Sequence, residues 1–198
     1  MVTKAAWIII TGSPDVGKTT LARHLSQRLR LPLLTRDDVR SGHFFTQGGW
    51  SDHVGDVLDA PASVERFLEL VDAYVARGIS LVSDVVVTEQ FLAAAVGPLQ
   101  RSRPMVLALA APEARSRHLA RLASDPFMAR QPTLRTLGAR SIDEHVIRAA
   151  AQHDEVTKVL CDGRRIGVPT LDVSTRNGYD PSVDAIVDAV TATVGRVA

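Results

Sequence analysis

Apolar positions in this chain follow two rhythms. Some form runs: Ala6 to Ile10 and Met105 to Ala110 are apolar throughout, Leu31 to Leu34 includes Pro32, Ile79 to Val87 carries Ser80, Ser83 and Asp84, and Thr170 to Ser174 holds Leu171 and Val173 on either side of Asp172. Short continuous runs of this kind predict strands covered on both faces. Others recur every three or four residues. Leu21, Leu25 and Leu29 make one such stripe, and Val64, Phe67, Leu68, Val71 and Val75 make a second. Val183, Ile186, Val187, Val190 and Val194 make a third. These spacings predict amphipathic helices. Gly78 stops the helix expected from Pro61 to Arg77, and Thr88 is the expected cap of a helix reaching about Gln100. Pro112 opens the next helix, Ser141-Ile142-Asp143-Glu144 reads as a capping box for a helix toward Lys158, and Asp180-Pro181 is the expected cap of the last. Arg164 to Gly167 reads as a turn, and residues 41–60 read as an irregular loop rich in aromatic residues and glycine. Five strands alternating with helices predict an α/β fold with a parallel sheet and right-handed crossovers.

The first run leads into Gly12-Ser13-Pro14-Asp15-Val16-Gly17-Lys18-Thr19-Thr20. The spacing fits G-x-x-x-x-G-K-[ST], the P-loop, in its required order of strand, glycine loop and helix. Glycines let backbone approach an anion closely, and helix N-terminal N–H groups favour negative charge. Lys18 is the residue expected at the β- and γ-phosphates, and Thr19 the hydroxyl expected at Mg2+. With the P-loop on strand one and an acid, Asp84, in strand three, the predicted strand order is 2-3-1-4-5.

Further chemistry lies where strands end, which is where open α/β sheets bind ligands. Arg36-Asp37-Asp38-Val39-Arg40 follows strand two. One aspartate of the pair serves chemistry and the other caps a helix starting near Val39, in either assignment. Asp84 either assists Mg2+ as a Walker B carboxylate or anchors a substrate-binding arginine. Residues 124–140 carry Arg130, Arg135 and Arg140 and read as a lid that places guanidinium groups on phosphate. His43 and His53 read as solvated or hydrogen-bonded bystanders, with substrate contact as the alternative. His145 and His153 read as part of a solvated helix face.

Composition narrows the setting. The chain has 198 residues and a formal net charge of +1, so a single domain without a strong nucleic-acid field is expected. Its one cysteine, Cys161, suits a reducing compartment. No secretory or membrane-spanning pattern is visible, and a cytoplasmic protein is expected.

These residues resemble a known group. Gly12 to Thr20, Arg36 to Arg40 and Val82-Ser83-Asp84 are similar to polynucleotide kinases, and Gly78 to Gly97 with Thr170 to Val190 are similar to chloramphenicol phosphotransferases. The chain thus resembles the small P-loop kinases that also include zeta-toxins. The resemblance implies a three-layer sandwich with a lid insert and transfer of phosphate from ATP or GTP, with Mg2+, to a hydroxyl. It makes Asp37 the general base, Arg40 the arginine that binds the substrate's phosphate and Asp84 a residue that organises the acceptor side, while a metal role for Asp84 rests on its Walker B pattern. It makes Arg121, or else Arg130, the arginine at the nucleotide phosphates. A small molecule and a nucleic-acid 5′-hydroxyl are both acceptors within this group. The alternative is a nucleotide-dependent switch without an acceptor. A GTPase would carry an N-K-x-D run near strand four, where Leu107-Ala108-Leu109-Ala110 stands.

Overall fold

A computed structural model describes residues 4–46, 60–124, 142–161 and 163–195. Five strands, β1 (Ala6–Gly12), β2 (Leu33–Thr35), β3 (Leu81–Asp84), β4 (Arg103–Ala110) and β5 (Thr170–Ser174), form one sheet in the order β2-β3-β1-β4-β5. Every pairing is parallel. This is the predicted order. The helices are α1 (Lys18–Leu29), α2 (Arg36–Thr46), α3 (Ala60–Ala76), α4 (Glu89–Ala94), α5 (Val96–Arg101), α6 (Ala114–Ser124), α7 (Ile142–Lys158) and α8 (Val183–Val194).

The central strand explains the layering. All seven residues of β1 are buried. Their side chains alternate between faces. Ile8 and Ile10 join Leu21, Leu25, Ile186 and Val190 in one core, beneath α1 and α8. Trp7 and Ile9 join Phe67, Val71, Phe91 and Leu92 in the other, beneath α3 and α4. The stripes read from the sequence therefore face inward, and helices cover both faces of the sheet.

Several expectations shift, each for a local reason. Helix α2 begins at Arg36, not near Val39, because the Thr35 hydroxyl accepts the Asp38 N–H at 3.0 Å. The cap is thus the last residue of β2, and neither aspartate supplies it. Helix α2 also runs on through Thr46, where an irregular loop was expected. The helix after Thr88 is broken at Ala95. Pro98 has no N–H to give the carbonyl of Ala94, and its ring crowds that carbonyl. The last helix is capped by Ser182, whose hydroxyl accepts the Ala185 N–H at 3.3 Å, rather than by Asp180. Strand β3 ends at Asp84, although Val85 and Val87 beyond it are buried. An apolar run reports burial, and only the ladder reports pairing. Gly163–Ile166 forms a short 3-10 helix before the turn at Gly167.

Gly12, at the end of β1, has φ near 144°. A Cβ there would lie 2.5 Å from the Leu109 carbonyl oxygen and 2.9 Å from Val16 Cγ1. Backbone of the neighbouring strand cannot yield as a side chain tip can. Gly12→Ala is expected to cost about 3 kcal/mol from backbone strain and overlap. Urea unfolding with an unchanged slope and a lowered midpoint would report it.

Candidate phosphate-binding site

The sheet brings the sequence candidates to its C-terminal edge. In the parallel register, Ile10 of β1 lies beside Asp84 of β3, and Thr35 of β2 lies on the other side of Asp84. The P-loop leaves β1 just beyond Ile10, and Arg36 to Arg40 leave β2 just beyond Thr35. Hydrophobic burial of β1 and β3 therefore fixes where the polar loops emerge.

The loop itself is built for tight backbone. Asp15 has φ near 56° and Gly17 has φ near 97°, both in the left-handed region. Gly17 caps α1 without a side-chain hydrogen bond to the helix. Lys18 folds back so that its Nζ donates to the Ser13 carbonyl at 2.9 Å. Thr19 Oγ1 donates to Asp84 Oδ2 at 2.5 Å. Of the P-loop stretch, Gly12, Ser13 and Val16 are buried, Pro14, Asp15, Gly17, Lys18 and Thr19 half-buried, and Thr20 exposed.

Electrostatics ties these groups together. Burial pushes the Asp84 carboxyl upward, against the pull of the Lys18 charge and the Thr19 hydroxyl. Burial pushes Lys18 downward, and Asp84 and Asp37 oppose it in that order. Asp37 thus lies close enough for its charge to act on Lys18. Its side chain is 80% exposed, so it faces open space, and Oδ1 sits 3.3 Å from Arg40 Nη2. Lys18, Thr19, Asp84, Asp37 and Arg40 are brought together at one edge of the sheet.

Arg121 is placed elsewhere on the loop. It donates from Nη1 to Asp15 Oδ1 at 2.7 Å, and His118 Nδ1 lies 2.6 Å from Asp15 Oδ2. Arg130, His53 and nearly all of the expected lid lie outside the described residues, as do residues 47–59 of the expected loop. His43 is at the end of α2.

Sequence reasoning missed several supports. Thr175 Oγ1 donates to the Val16 carbonyl at 2.7 Å, and Tyr179 OH donates to the Gly17 carbonyl at 3.4 Å. Both follow β5 at the same sheet edge, which is the one signal that would have found them. His153 corrects an expectation. It is 5% exposed rather than solvated, and its ring centroid lies 5.6 Å from that of His118. Packing of α7 against α6 buries it. Burial and the neighbouring His118 both push its pKa down. Arg115 on α6 also makes a two-point ion pair with Asp154 on α7, at 2.8 and 3.2 Å.

The Asp15 clamp has a pH signature. Burial raises the Asp15 pKa, but hydrogen bonds and charges from His118 and Arg121 overcome it and hold it at about 2, below 3.8. A lowered carboxyl pKa stabilises the folded state above the unfolded value and ceases to do so as pH falls through the folded one. We expect Asp15→Asn to cost about 1–2 kcal/mol at neutral pH after solvent screening. In thermal melts, the gap between wild type and variant should narrow as pH falls from about 4 toward 2.

No metal-sized cluster of three or more histidine, cysteine or acidic side chains occurs among the described residues. Thr19 and Asp84 alone fit a Mg2+ that draws its other ligands from phosphate and water. No helix among the described residues is long and apolar enough to cross a membrane.

No protein-family model and no curated protein matches the sequence. Solved structures do. A candidate kinase from Chloroflexus aurantiacus J-10-fl is 25% identical, with a TM-score of 0.70 over 96% of this chain and 98% of its own. Chaetomium thermophilum Kti12, solved with ADP-AlF3, is 16% identical, with a TM-score of 0.62 over 96% and 99%. A sugar kinase from Janibacter sp. HTCC2649 is 11% identical, with a TM-score of 0.57 over 98% and 96%. In sheet order, loop placement and structural neighbours, the chain has the fold of the small P-loop kinases.

Proposed function

We propose that this protein is a phosphotransferase that moves the γ-phosphate of ATP or GTP to a hydroxyl group of a small molecule or of a nucleotide or polynucleotide 5′ end. One observation carries the reading. Lys18, Thr19 and Asp84 meet at the P-loop while Asp37 opens toward solvent within electrostatic reach of Lys18. A phosphate cradle and an exposed base share one cleft.

The roles follow from chemistry. Backbone of Gly12 to Thr20 and the Lys18 ammonium hold the β- and γ-phosphates. The Thr19 hydroxyl, with Asp84 beside it, would hold Mg2+, which would supply charge neutralisation on those phosphates. Asp37 orients the acceptor hydroxyl and takes its proton as the bond from acceptor oxygen to γ-phosphorus forms and the bond to the bridging oxygen breaks. The nucleoside diphosphate is the leaving group. Arg40, beside Asp37, faces the acceptor side. Arg121, docked on Asp15 yet 55% exposed, stands ready for the transferring phosphate, with Arg130 the second candidate. The kinase neighbours support the reaction class, and Kti12, solved with ADP-AlF3, supports nucleotide binding.

A panel of alcohols, sugars, nucleosides and 5′-hydroxyl oligonucleotides tests this by ADP release. Release stimulated by an acceptor is the expected result. Hydrolysis that no acceptor stimulates favours the switch instead. A steep loss of affinity with salt would mark a nucleic-acid acceptor, because each phosphate contact releases counterions.

A further inference from the structure

We propose that Arg36, the residue before the expected base, binds the transferring γ-phosphoryl group together with Lys18. The proposal rests on the phosphotransferase reading and gives its cleft a second phosphate cation.

Position comes first. Arg36 is the first residue of α2, directly after Thr35, which the ladder sets beside Asp84. Asp84 in turn holds the Thr19 hydroxyl. Arg36 therefore enters the cleft from the β2 side, opposite the P-loop that carries Lys18. Its Nε is fully buried and has no hydrogen-bond partner among the described residues. A buried donor left unpaired costs stability, and a residue kept in that condition points to a role other than holding the fold.

Charge gives the second argument. Burial disfavours the Lys18 charge, Asp84, Asp37 and Asp15 favour it, and Arg36 adds a smaller opposing push, so a second cation lies within electrostatic reach of Lys18. Burial also disfavours the Arg36 charge, with Asp37 and Asp84 compensating and Arg40 opposing. Two half-buried cations within reach of each other can share an added anion, and a γ-phosphate extending from the P-loop would lie between them. Arginine suits this place because its planar fork can give two donors to phosphate oxygens and keeps its charge.

The test compares nucleotides that differ only by the γ-phosphate. Wild type, Arg36→Gln and Arg36→Lys are titrated calorimetrically with Mg·ATP and Mg·ADP, and melted without nucleotide. The expected result is ADP affinity kept within about two-fold in all three proteins, with the preference for ATP over ADP falling about ten-fold in Arg36→Gln. Arg36→Lys should fall between, since it retains charge but not the fork. The melts should show no loss of stability. An unchanged ATP preference in both variants overturns the proposal, including the case in which Arg36 serves the acceptor. Equal loss of both nucleotides with lowered melting temperature makes Arg36 structural and also overturns it. If Arg36→Gln does not fold, the ATP preference of Arg36→Lys decides alone. A wild-type protein that binds neither nucleotide defeats the phosphotransferase reading itself, and this inference with it.

Discussion

Asp37→Ala should lower acceptor-dependent turnover about 10²–10⁴-fold while nucleotide affinity stays nearly unchanged. The asymmetry follows from position. Asp37 is exposed at the start of α2 and touches Arg40, not the P-loop backbone. Its removal takes away the group that orients and deprotonates the acceptor but leaves the phosphate cradle whole. The check is a paired measurement: single-turnover rates with a responsive acceptor, and calorimetric titration with Mg·ATP. Asp37→Asn keeps the shape and loses the base, so it should behave like the alanine variant. Full turnover in either variant would remove Asp37 from the mechanism.

Lys18→Ala should fail differently, losing both affinity and rate. Its ammonium reaches back over the loop to the Ser13 carbonyl and is offset by Asp84 and Asp37. Removing it leaves Asp84, already raised by burial, without its main positive partner. We expect turnover to fall about 10²–10³-fold, the usual cost of losing one positioned charge at a site of developing charge. Nucleotide affinity should fall alongside. The same titrations and rates measure both, and a Lys18→Ala protein that binds Mg·ATP as tightly as wild type would argue against a phosphate-gripping loop.

Much of this was legible because burial and backbone geometry leave strong marks on a sequence. β1 reads as a buried strand because all of its side chains are apolar or small, and the P-loop reads as a loop because its glycines have few other uses. From strand, P-loop and the acid in strand three, the sheet order followed. Contacts made across long separations left no such mark. Asp15 is held by His118 and Arg121, over a hundred residues away, and no periodicity announces that pairing. Thr175 and Tyr179 support the loop through single hydroxyls, which look like any other polar residues after a strand. His153 was misread for a related reason. A stripe shows which face is apolar, but it does not show a polar ring at the margin being closed over by a neighbouring helix. Thr35 was overlooked as a cap because it also ends a strand, and sequence patterns assign each residue one task.

Arg36 illustrates the same limit. In the sequence it is one basic residue in a charged run. Only the β2–β3 register sets it next to Asp84, and only its buried Nε distinguishes it from a solvated arginine.

The most direct test follows the phosphorus atom itself. With Mg·ATP and a responsive hydroxyl acceptor, the phosphorus NMR spectrum should show the γ resonance decline as a phosphate monoester resonance grows in step. If the γ resonance instead gives only inorganic phosphate, whatever hydroxyl compound is present, the cleft hydrolyses nucleotide and the transfer reaction is contradicted.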